Sequence, residues 1–358
     1  MSARRSTPWS QTLRHRSNLL VLGLMVVSTA GIAAADEVSE NGAGRRDVPP
    51  PSKPSPAEKI RVLFNETYVT HADESDEKAG RCDVYLPSRR ELASVDGDVP
   101  AIAPPSGRRP AIIVVHGGGW TSGDKWTMAG YCRDLAKLGF VVINVNYRLA
   151  PRHRFPAQVD DIRAALLWTV DQADRFDIDT ERIGLFGYSA GGHLAALIGV
   201  LGDESPSDVS PTSDWPPEDP RWERLPRVRA VCAGGPPCEF RDLPPHNTLL
   251  AYFLGGSRAE LPDIYRAASP PSFASADDPP TLIIHGERDF IVPIASSQAL
   301  FEALREQGAD CRMECLPNQG HMGAFLDPRA KRAVTQFFSE RLIGTDPSVQ
   351  TARRTTEE

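Results

Sequence analysis

One serine of this chain has neighbours that could make it a nucleophile. Ser189 is the centre of Gly187-Tyr-Ser-Ala-Gly191, with an apolar run at 182–186 before it and an apolar, helix-prone run at 193–198 after it. A strand that turns sharply into a helix holds the corner residue in a strained backbone conformation, and small neighbours prevent clashes there. The pattern predicts a serine hydroxyl that stands above the end of a sheet.

An activated serine needs a base to take its proton and an acid to orient that base. Asp289 follows a predicted buried strand at 281–284, and His321 lies in a predicted loop after the strand at 311–316. Open α/β sheets gather their sites at the carboxyl ends of the strands, so both side chains are expected near Ser189.

Covalent acyl transfer also needs hydrogen-bond donors for the oxyanion. The apolar strand 111–115 runs into His116-Gly-Gly-Gly-Trp120. Consecutive glycines leave backbone N–H groups open to a ligand oxygen, because no side chain blocks the approach. The N–H groups of this loop and of Ala190 are the predicted donors.

Four other histidines compete for the role of base. His116, at the end of a strand, suits a structural role in which it holds the glycine loop by hydrogen bonds. His193 follows the serine by one helical turn and is expected inside the helix packing. His246 and His285 are predicted to lack an acidic residue in a complementary position.

Two further charged residues have structural interpretations. Glu287 is close to Asp289 in sequence, but its neighbour Arg288 favours a surface ion pair. Arg148, which follows the strand 140–145, is predicted to be a structural ion-pair partner rather than a substrate ligand.

The predicted elements alternate between strands and helices from residue 111 onward, which indicates a mostly parallel α/β sheet with helices on both faces. Eight strands are predicted, at residues 61–70, 81–86, 111–115, 140–145, 182–186, 229–233, 281–284 and 311–316. The first two are expected to form an antiparallel pair at the sheet edge. Helices are expected at 131–138, 158–171, 294–305 and 329–343, besides the one after Ser189.

Two segments stand outside this alternation. Residues 202–226 are acidic and rich in proline, which predicts a surface insertion that borders the site. Residues 236–272 contain several aromatic residues and are expected to form a small cap over the pocket.

The composition is that of an ordinary soluble globular protein, with 41% hydrophobic and 24% charged residues in 358. This length suits one large α/β domain. The net charge of −7, with no basic face in the sequence, argues against nucleic acid as a partner.

The N-terminal stretch resembles an export signal. Arginines precede an apolar run at 19–27, and alanines 33–35 precede Asp36 in the manner of a cleavage site. The expected organisation is a signal peptide at 1–35, a flexible linker at 36–58, a catalytic domain at 59–343 and a disordered tail at 344–358. The expected location is periplasmic or extracellular, without stable membrane association after cleavage. A retained signal anchor is the alternative.

Six cysteines accompany this signal. Cys232 and Cys238 flank Gly-Gly-Pro-Pro and could pair, whereas Cys311 and Cys315 on one strand would lie about 13 Å apart, too far for a disulfide. Buried free thiols are the preferred interpretation for most of the six. No cysteine spacing suggests a zinc site, and no metal or other cofactor is expected.

Taken together, these segments resemble the α/β-hydrolase esterases that carry a His-Gly-Gly-Gly oxyanion loop, and in particular bacterial acetyl and feruloyl esterases that act on plant polysaccharide. The resemblance spans about residues 60–343. It is carried by residues 116–120, 146–151, 155–158, 187–194, 285–289, 292–293 and 320–321.

This resemblance implies a triad of Ser189, Asp289 and His321, in the chain order of that fold. It also implies an oxyanion hole formed by the backbone N–H groups of Gly118, Gly119 and Ala190.

The expected function is that of an exported serine esterase that uses no cofactor. Short acyl groups are favoured because no long apolar segment predicts a lipid-binding lid. The substrate is expected to be a small-molecule ester or an acylated polysaccharide. An amide hydrolase with the same triad and a non-catalytic binding module are the alternatives, and the oligomeric state stays open.

Overall fold

The computed structural model describes residues 60–71, 77–87 and 107–344. The predicted signal peptide at 1–35, the linker at 36–58 and the tail beyond residue 344 lie outside the described residues. Each helix in the described part of the chain is too short or too polar to span a bilayer.

The described residues form one eight-stranded sheet with the strand order β1-β2-β4-β3-β5-β6-β7-β8. The pairs β1·β2 and β2·β4 are antiparallel, and all the other pairs are parallel. The mostly parallel sheet and its antiparallel edge are therefore as predicted. The strands are β1 Arg61–Thr67, β2 Arg81–Leu86, β3 Arg109–Val115, β4 Val141–Val145, β5 Ile178–Tyr188, β6 Val228–Gly234, β7 Thr281–Gly286 and β8 Cys311–Leu316.

Helices cover both faces of the sheet. They are α1 Ala129–Lys137, α2 Ala157–Asp171, α3 Ala173–Phe176, α4 Ala190–Val200, α5 Ala251–Leu254, α6 Pro262–Ala267, α7 Ile294–Gln307, α8 His321–Leu326 and α9 Pro328–Phe338, and a π-helical turn at Ser339–Ile343 follows α9. The prediction that His321 lies in a loop was wrong, because His321 is the first residue of α8.

The apolar core is divided by the sheet into two layers. Along β3, Ile113 and Val115 belong to one buried cluster, whereas Ile112 and Val114 belong to the other. Successive side chains of a strand point to opposite faces, so a central strand buried on both faces is apolar without alternation. Helices α2, α4 and α7 contribute to the first cluster, and α1 and α9 to the second.

The same division explains why the possible disulfide does not form. All six cysteines are free. Cys232 lies in β6 within the cluster that contains α1 and α9, and Cys238 lies in the cluster on the other face. Their side chains are therefore separated by the sheet, despite the short sequence distance.

The acidic segment 202–226 is attached to α2. The guanidinium of Arg163 donates to the carbonyl oxygen of Thr212 at 2.6 Å and contacts the ring of Trp222 at 4.7 Å. The carboxylate of Asp160 accepts from the Ser213 hydroxyl at 2.6 Å. The segment leaves α4 at the end remote from Ser189, about 16 Å along the helix axis.

Candidate active site

The predicted nucleophile occupies a strained corner between β5 and α4. Ser189 has φ 56° and ψ −122°, a conformation that L-residues rarely adopt. A Cβ atom on Gly187 would lie 2.0 Å from the carbonyl oxygen of Gly191, so the corner requires glycine there. The predicted strand–serine–helix turn is therefore present.

The backbone of Ser189 is held on both sides. Its N–H donates to the carbonyl oxygen of Gly234 at the end of β6, at 2.7 Å, and its carbonyl oxygen accepts from His193 N–H at 2.9 Å. The side chain makes no hydrogen bond to any described residue, so its hydroxyl is available to a substrate.

The glycine loop after β3 passes beside this corner. A Cβ atom built on Gly117 would lie 3.1 Å from the Cβ of Ser189. Gly118 has φ 123°, and its carbonyl oxygen accepts from Thr121 N–H at 3.2 Å and Ser122 N–H at 3.1 Å. A Cβ atom on Gly118 would lie 2.0 Å from the Ser122 carbonyl oxygen, so only glycine fits this turn.

The three predicted oxyanion donors lie on two elements that meet at Ser189. Gly118 and Gly119 belong to the glycine loop, and Ala190 is the first residue of α4. The first N–H groups of a helix have no acceptor within it, which leaves them free for a ligand.

His116 supports the loop, as predicted. Its Nδ1–H donates to the Gly117 carbonyl oxygen at 2.7 Å, and its ring stacks on Tyr147 with centroids 4.4 Å apart. Burial lowers the pKa of His116 to about 4, so the ring is neutral near pH 7.

His193 is also structural, as predicted. Its Nε2 lies 2.7 Å from the Ala268 carbonyl oxygen, which can only accept, so Nε2 carries the hydrogen. Its Nδ1 accepts from the indole N–H of Trp120 at 3.3 Å. Burial lowers the pKa of His193 to about 4.

The predicted cap packs on the glycine loop through aromatic rings. Phe253 of α5 stacks on Trp120 with centroids 4.3 Å apart and an angle of 6° between the rings. Phe240, from the same cap segment, meets the edge of Trp120 at 6.0 Å. The loop that follows β3 is thus clamped between α4 and the cap.

Asp289 and His321 form a short hydrogen bond. His321 Nδ1 lies 2.5 Å from Asp289 Oδ2, and Asp289 Oδ1 accepts from the N–H groups of Ile291 at 2.9 Å and Val292 at 2.8 Å. Burial raises the pKa of Asp289, but the hydrogen bonds from His285 and His321 outweigh burial and hold that pKa well below its usual range. The carboxylate is therefore ionised near pH 7.

His321 lies against the strand ends that flank Ser189. Its carbonyl oxygen accepts from the Tyr188 hydroxyl at 2.6 Å, and its Cε1 is 3.0 Å from where a Cβ on Gly235 would be. No hydrogen bond joins the imidazole to the Ser189 hydroxyl within the described residues. Such bonds often tighten only when substrate binds.

Two interpretations of the loop after β7 need correction. His285 has an acidic partner after all, since its Nε2 lies 3.3 Å from Asp289 Oδ2. The turn closed by Asp289 N–H and the Gly286 carbonyl oxygen brings the carboxylate back over the strand end. Glu287 and Arg288 are both exposed, and neither forms an ion pair among the described residues.

The ion-pair prediction for Arg148 is confirmed. Its guanidinium lies 2.8 Å from the Asp161 carboxylate in α2, and its backbone N–H donates to the same carboxylate at 2.7 Å. This ion pair connects the end of β4 with α2 and is not part of the candidate site.

A mostly parallel sheet in this order, with a strained serine at the end of β5 and an Asp–His pair beyond β7 and β8, defines an α/β-hydrolase fold. The chain belongs to the BD-FAE family, whose model matches residues 99–304.

Among curated proteins, Esterase LipQ of Mycobacterium tuberculosis is 33% identical over 269 residues, which cover 72% of this chain and 60% of LipQ. Esterase LipC of the same organism is 27% identical over 339 residues, which cover 90% of this chain and 74% of LipC. The chain thus spans about three fifths of the length of LipQ.

Among solved structures, a truncated carbohydrate esterase from gut microbiota is similar, with a TM-score of 0.65 and 26% sequence identity. The match covers 80% of this chain and 98% of that chain.

The low pKa values of the buried His116 and His193 predict a loss of stability in mild acid. The pKa of His193 is about 4 in the folded state and about 6.5 in an unfolded chain, so below pH 6.5 protons bind preferentially to the unfolded state. We expect the stability contributed by neutral His193 to fall by about 3 kcal/mol between pH 6.5 and pH 4, and to be fully retained above pH 6.5.

Urea unfolding of the wild type and of His193→Gln from pH 7.5 to pH 4.5 measures this contribution. The variant should be less stable than the wild type at pH 7.5. At pH 4.5 the difference between their free energies of unfolding should be smaller by about 2–3 kcal/mol. His246→Gln, at an exposed histidine, is the control and should follow the wild type. If the free energies of unfolding of wild type and His193→Gln changed equally with pH, the low pKa of His193 in the folded state would be contradicted.

Proposed function

We propose that this protein is a serine carboxylic-ester hydrolase in which Ser189 is the nucleophile, His321 the base and Asp289 the orienting acid. The hydrogen bond between Asp289 and His321, beside a serine held at positive φ, is the observation that carries the proposal. Membership of the BD-FAE family and the esterase names of the relatives support it.

In the proposal, each ring nitrogen of His321 has its own role. Because Asp289 is ionised and can only accept, Nδ1 carries the hydrogen and Nε2 has a lone pair. Nε2 takes the proton of Ser189 as the Oγ attacks the acyl carbonyl, and then delivers that proton to the leaving alcohol. A water molecule, deprotonated by Nε2, releases the acid from the acyl-enzyme and restores Ser189. Asp289 stabilises the imidazolium in both steps.

Negative charge develops on the carbonyl oxygen in each tetrahedral intermediate. In the proposal, the N–H groups of Gly118, Gly119 and Ala190 donate to this oxygen. A single donor of this kind contributes about 2.7–4 kcal/mol to transition-state stabilisation in serine hydrolases. The steps are complete with these groups and water, so the proposal includes no metal or other cofactor.

An activity-based probe tests whether the serine is activated. A fluorophosphonate should label the wild-type protein at Ser189, because only an activated serine reacts, and Ser189→Ala should not be labelled. A wild-type protein that stays unlabelled would favour a non-catalytic binding module. Rates on phenyl acetate and acetanilide then separate an esterase from an amide hydrolase with the same triad.

The identity of the acid can be tested with two neighbouring carboxylates. Asp289→Asn loses the charge that stabilises the His321 imidazolium and favours the wrong tautomer, so kcat should fall by about 10⁴-fold. Glu287→Gln, at an exposed position in the same loop, is the matched control and should stay within about two-fold of wild type. Circular dichroism should show both variants folded, and a reversed order of the two rates would assign the role to Glu287.

For the substrate, we propose short-acyl esters, acetyl or aryl, including those of polysaccharides. The similar structure is named a carbohydrate esterase, which supports a sugar as the alcohol part of the ester. Tyr252 of α5 adds a structural reason. Its hydroxyl is 3.8 Å from where a Cβ on Gly119 would be, and therefore within about 6 Å of the Gly119 nitrogen. This half-buried hydroxyl makes no hydrogen bond to any described residue, so a polar substrate group can be its partner.

Tyr252→Phe distinguishes a polar from an apolar alcohol group. If the hydroxyl binds a sugar hydroxyl, the variant should lose about 3- to 10-fold in kcat/KM on acetylated xylan. Its kcat/KM on 4-nitrophenyl acetate, which has no such hydroxyl, should stay within about two-fold of wild type. An equal loss on both substrates would mean that Tyr252 acts on the site as a whole.

A further inference from the structure

His285 is a second imidazole in contact with the carboxylate of Asp289. It is fully buried in β7. Its Nε2 lies 3.0 Å from the carbonyl oxygen of Val292 and 3.3 Å from Asp289 Oδ2, and its Nδ1 lies 2.7 Å from the hydroxyl of Ser297 in α7. Both ring nitrogens of His285 are therefore occupied by protein groups, and neither is open to a substrate.

The partners of His285 fix where its hydrogens are. The Val292 carbonyl and the ionised Asp289 carboxylate can only accept, so Nε2 must carry a hydrogen. The buried Ser297 hydroxyl has one hydrogen and two acceptors in reach, His285 Nδ1 at 2.7 Å and the Pro236 carbonyl oxygen at 3.1 Å. When that hydrogen points to Nδ1, the ring is neutral. When it points to Pro236, Nδ1 must itself be protonated, and the ring is a buried cation.

The neutral form is the one that suits the proposed chemistry. A cation 3.3 Å from Asp289 Oδ2 would offset the negative charge that stabilises the imidazolium of His321. The Ser297 hydroxyl donates to Nδ1 in this state, at the shorter of its two distances.

His285 also completes the set of donors around Asp289. Oδ1 accepts from the N–H groups of Ile291 and Val292. Oδ2 accepts from His321 and lies 3.3 Å from His285 Nε2, whose single N–H also faces the Val292 carbonyl oxygen at 3.0 Å. Without the His285 donor, a buried carboxylate oxygen would lose one of its two partners, and the carboxylate could rotate about its Cβ–Cγ bond.

We propose that neutral His285 is a positioning residue for the Asp289–His321 pair. Its Nε2–H fixes the carboxylate so that Oδ2 meets His321 Nδ1, and Ser297 keeps the ring neutral by donating to its Nδ1. The inference rests on the proposed function, since it assigns His285 a role in the same reaction. His285 acts through Asp289 and does not touch the substrate.

Two substitutions at the same buried position separate positioning from packing. In His285→Gln the amide nitrogen reaches the place of Nε2 and can donate to Asp289, whereas in His285→Asn the amide reaches only the place of Nδ1. In His285→Asn we expect kcat on 4-nitrophenyl acetate to fall about 10- to 100-fold, while KM stays within about two-fold of wild type. The reason is that a misplaced carboxylate stabilises the transition state less but leaves substrate binding unchanged. His285→Gln should restore most of that kcat, with similar urea unfolding midpoints for the two variants.

Proton NMR of the His321 Nδ1–H gives a readout that does not depend on turnover. A strong hydrogen bond to Asp289 places this resonance far downfield. It should be retained in His285→Gln and should be shifted, or lost to solvent exchange, in His285→Asn.

The inference is overturned if both variants keep the wild-type kcat, if both lose it equally, or if the loss is in KM. An unchanged resonance in His285→Asn would also overturn it. A wild-type protein that hydrolyses no ester contradicts the proposed function instead, and the resonance in the two variants still decides whether His285 positions the pair.

Discussion

The backbone conformation of Ser189 is the constraint on which the site depends. A non-glycine residue in a sparsely populated region of φ/ψ space costs on the order of 1–3 kcal/mol and persists only where its surroundings determine it. Here β6 accepts the serine N–H through Gly234, and α4 donates to the serine carbonyl through His193. The glycine loop fills the space beside it. Strands β3, β5 and β6 must therefore be adjacent, as they are in the sheet.

The glycine loop depends in turn on the aromatic ring at its end. Trp120, itself at φ 61°, donates to His193 in α4 and stacks on Phe253 of the cap. The Trp120 side chain thus contacts two elements besides its own loop, namely the helix α4, which starts after Ser189, and the cap. The cap packs against the glycine loop, which explains why Phe240 and Phe253, between β6 and β7, are buried against Trp120.

Much of this architecture could be predicted from sequence because it rests on local signals. The apolar runs of β3 and β4 indicated buried parallel strands, and the position of Asp289 after a strand placed it beside His321 correctly. The helix at His321 could not be predicted, since Gly320 and Gly323 resemble a loop in sequence. Tertiary contacts stabilise it, including the Tyr188 hydroxyl on the His321 carbonyl oxygen and the Tyr131 hydroxyl on that of Phe325. The His285–Asp289 contact was missed because it depends on how the turn after β7 closes.

The structure also explains why one histidine among several suits the role of base. His193 and His285 use both ring nitrogens in bonds to protein groups, and His116 is a buried ring that holds its own loop. His321 uses only Nδ1, so within the described residues its Nε2 is left to a substrate or to Ser189. The two rings with depressed pKa values, His116 and His193, stay neutral near pH 7. The Asp289 carboxylate contacts the rings of His321 and His285, and in the proposed reaction its charge stabilises the imidazolium that forms at His321.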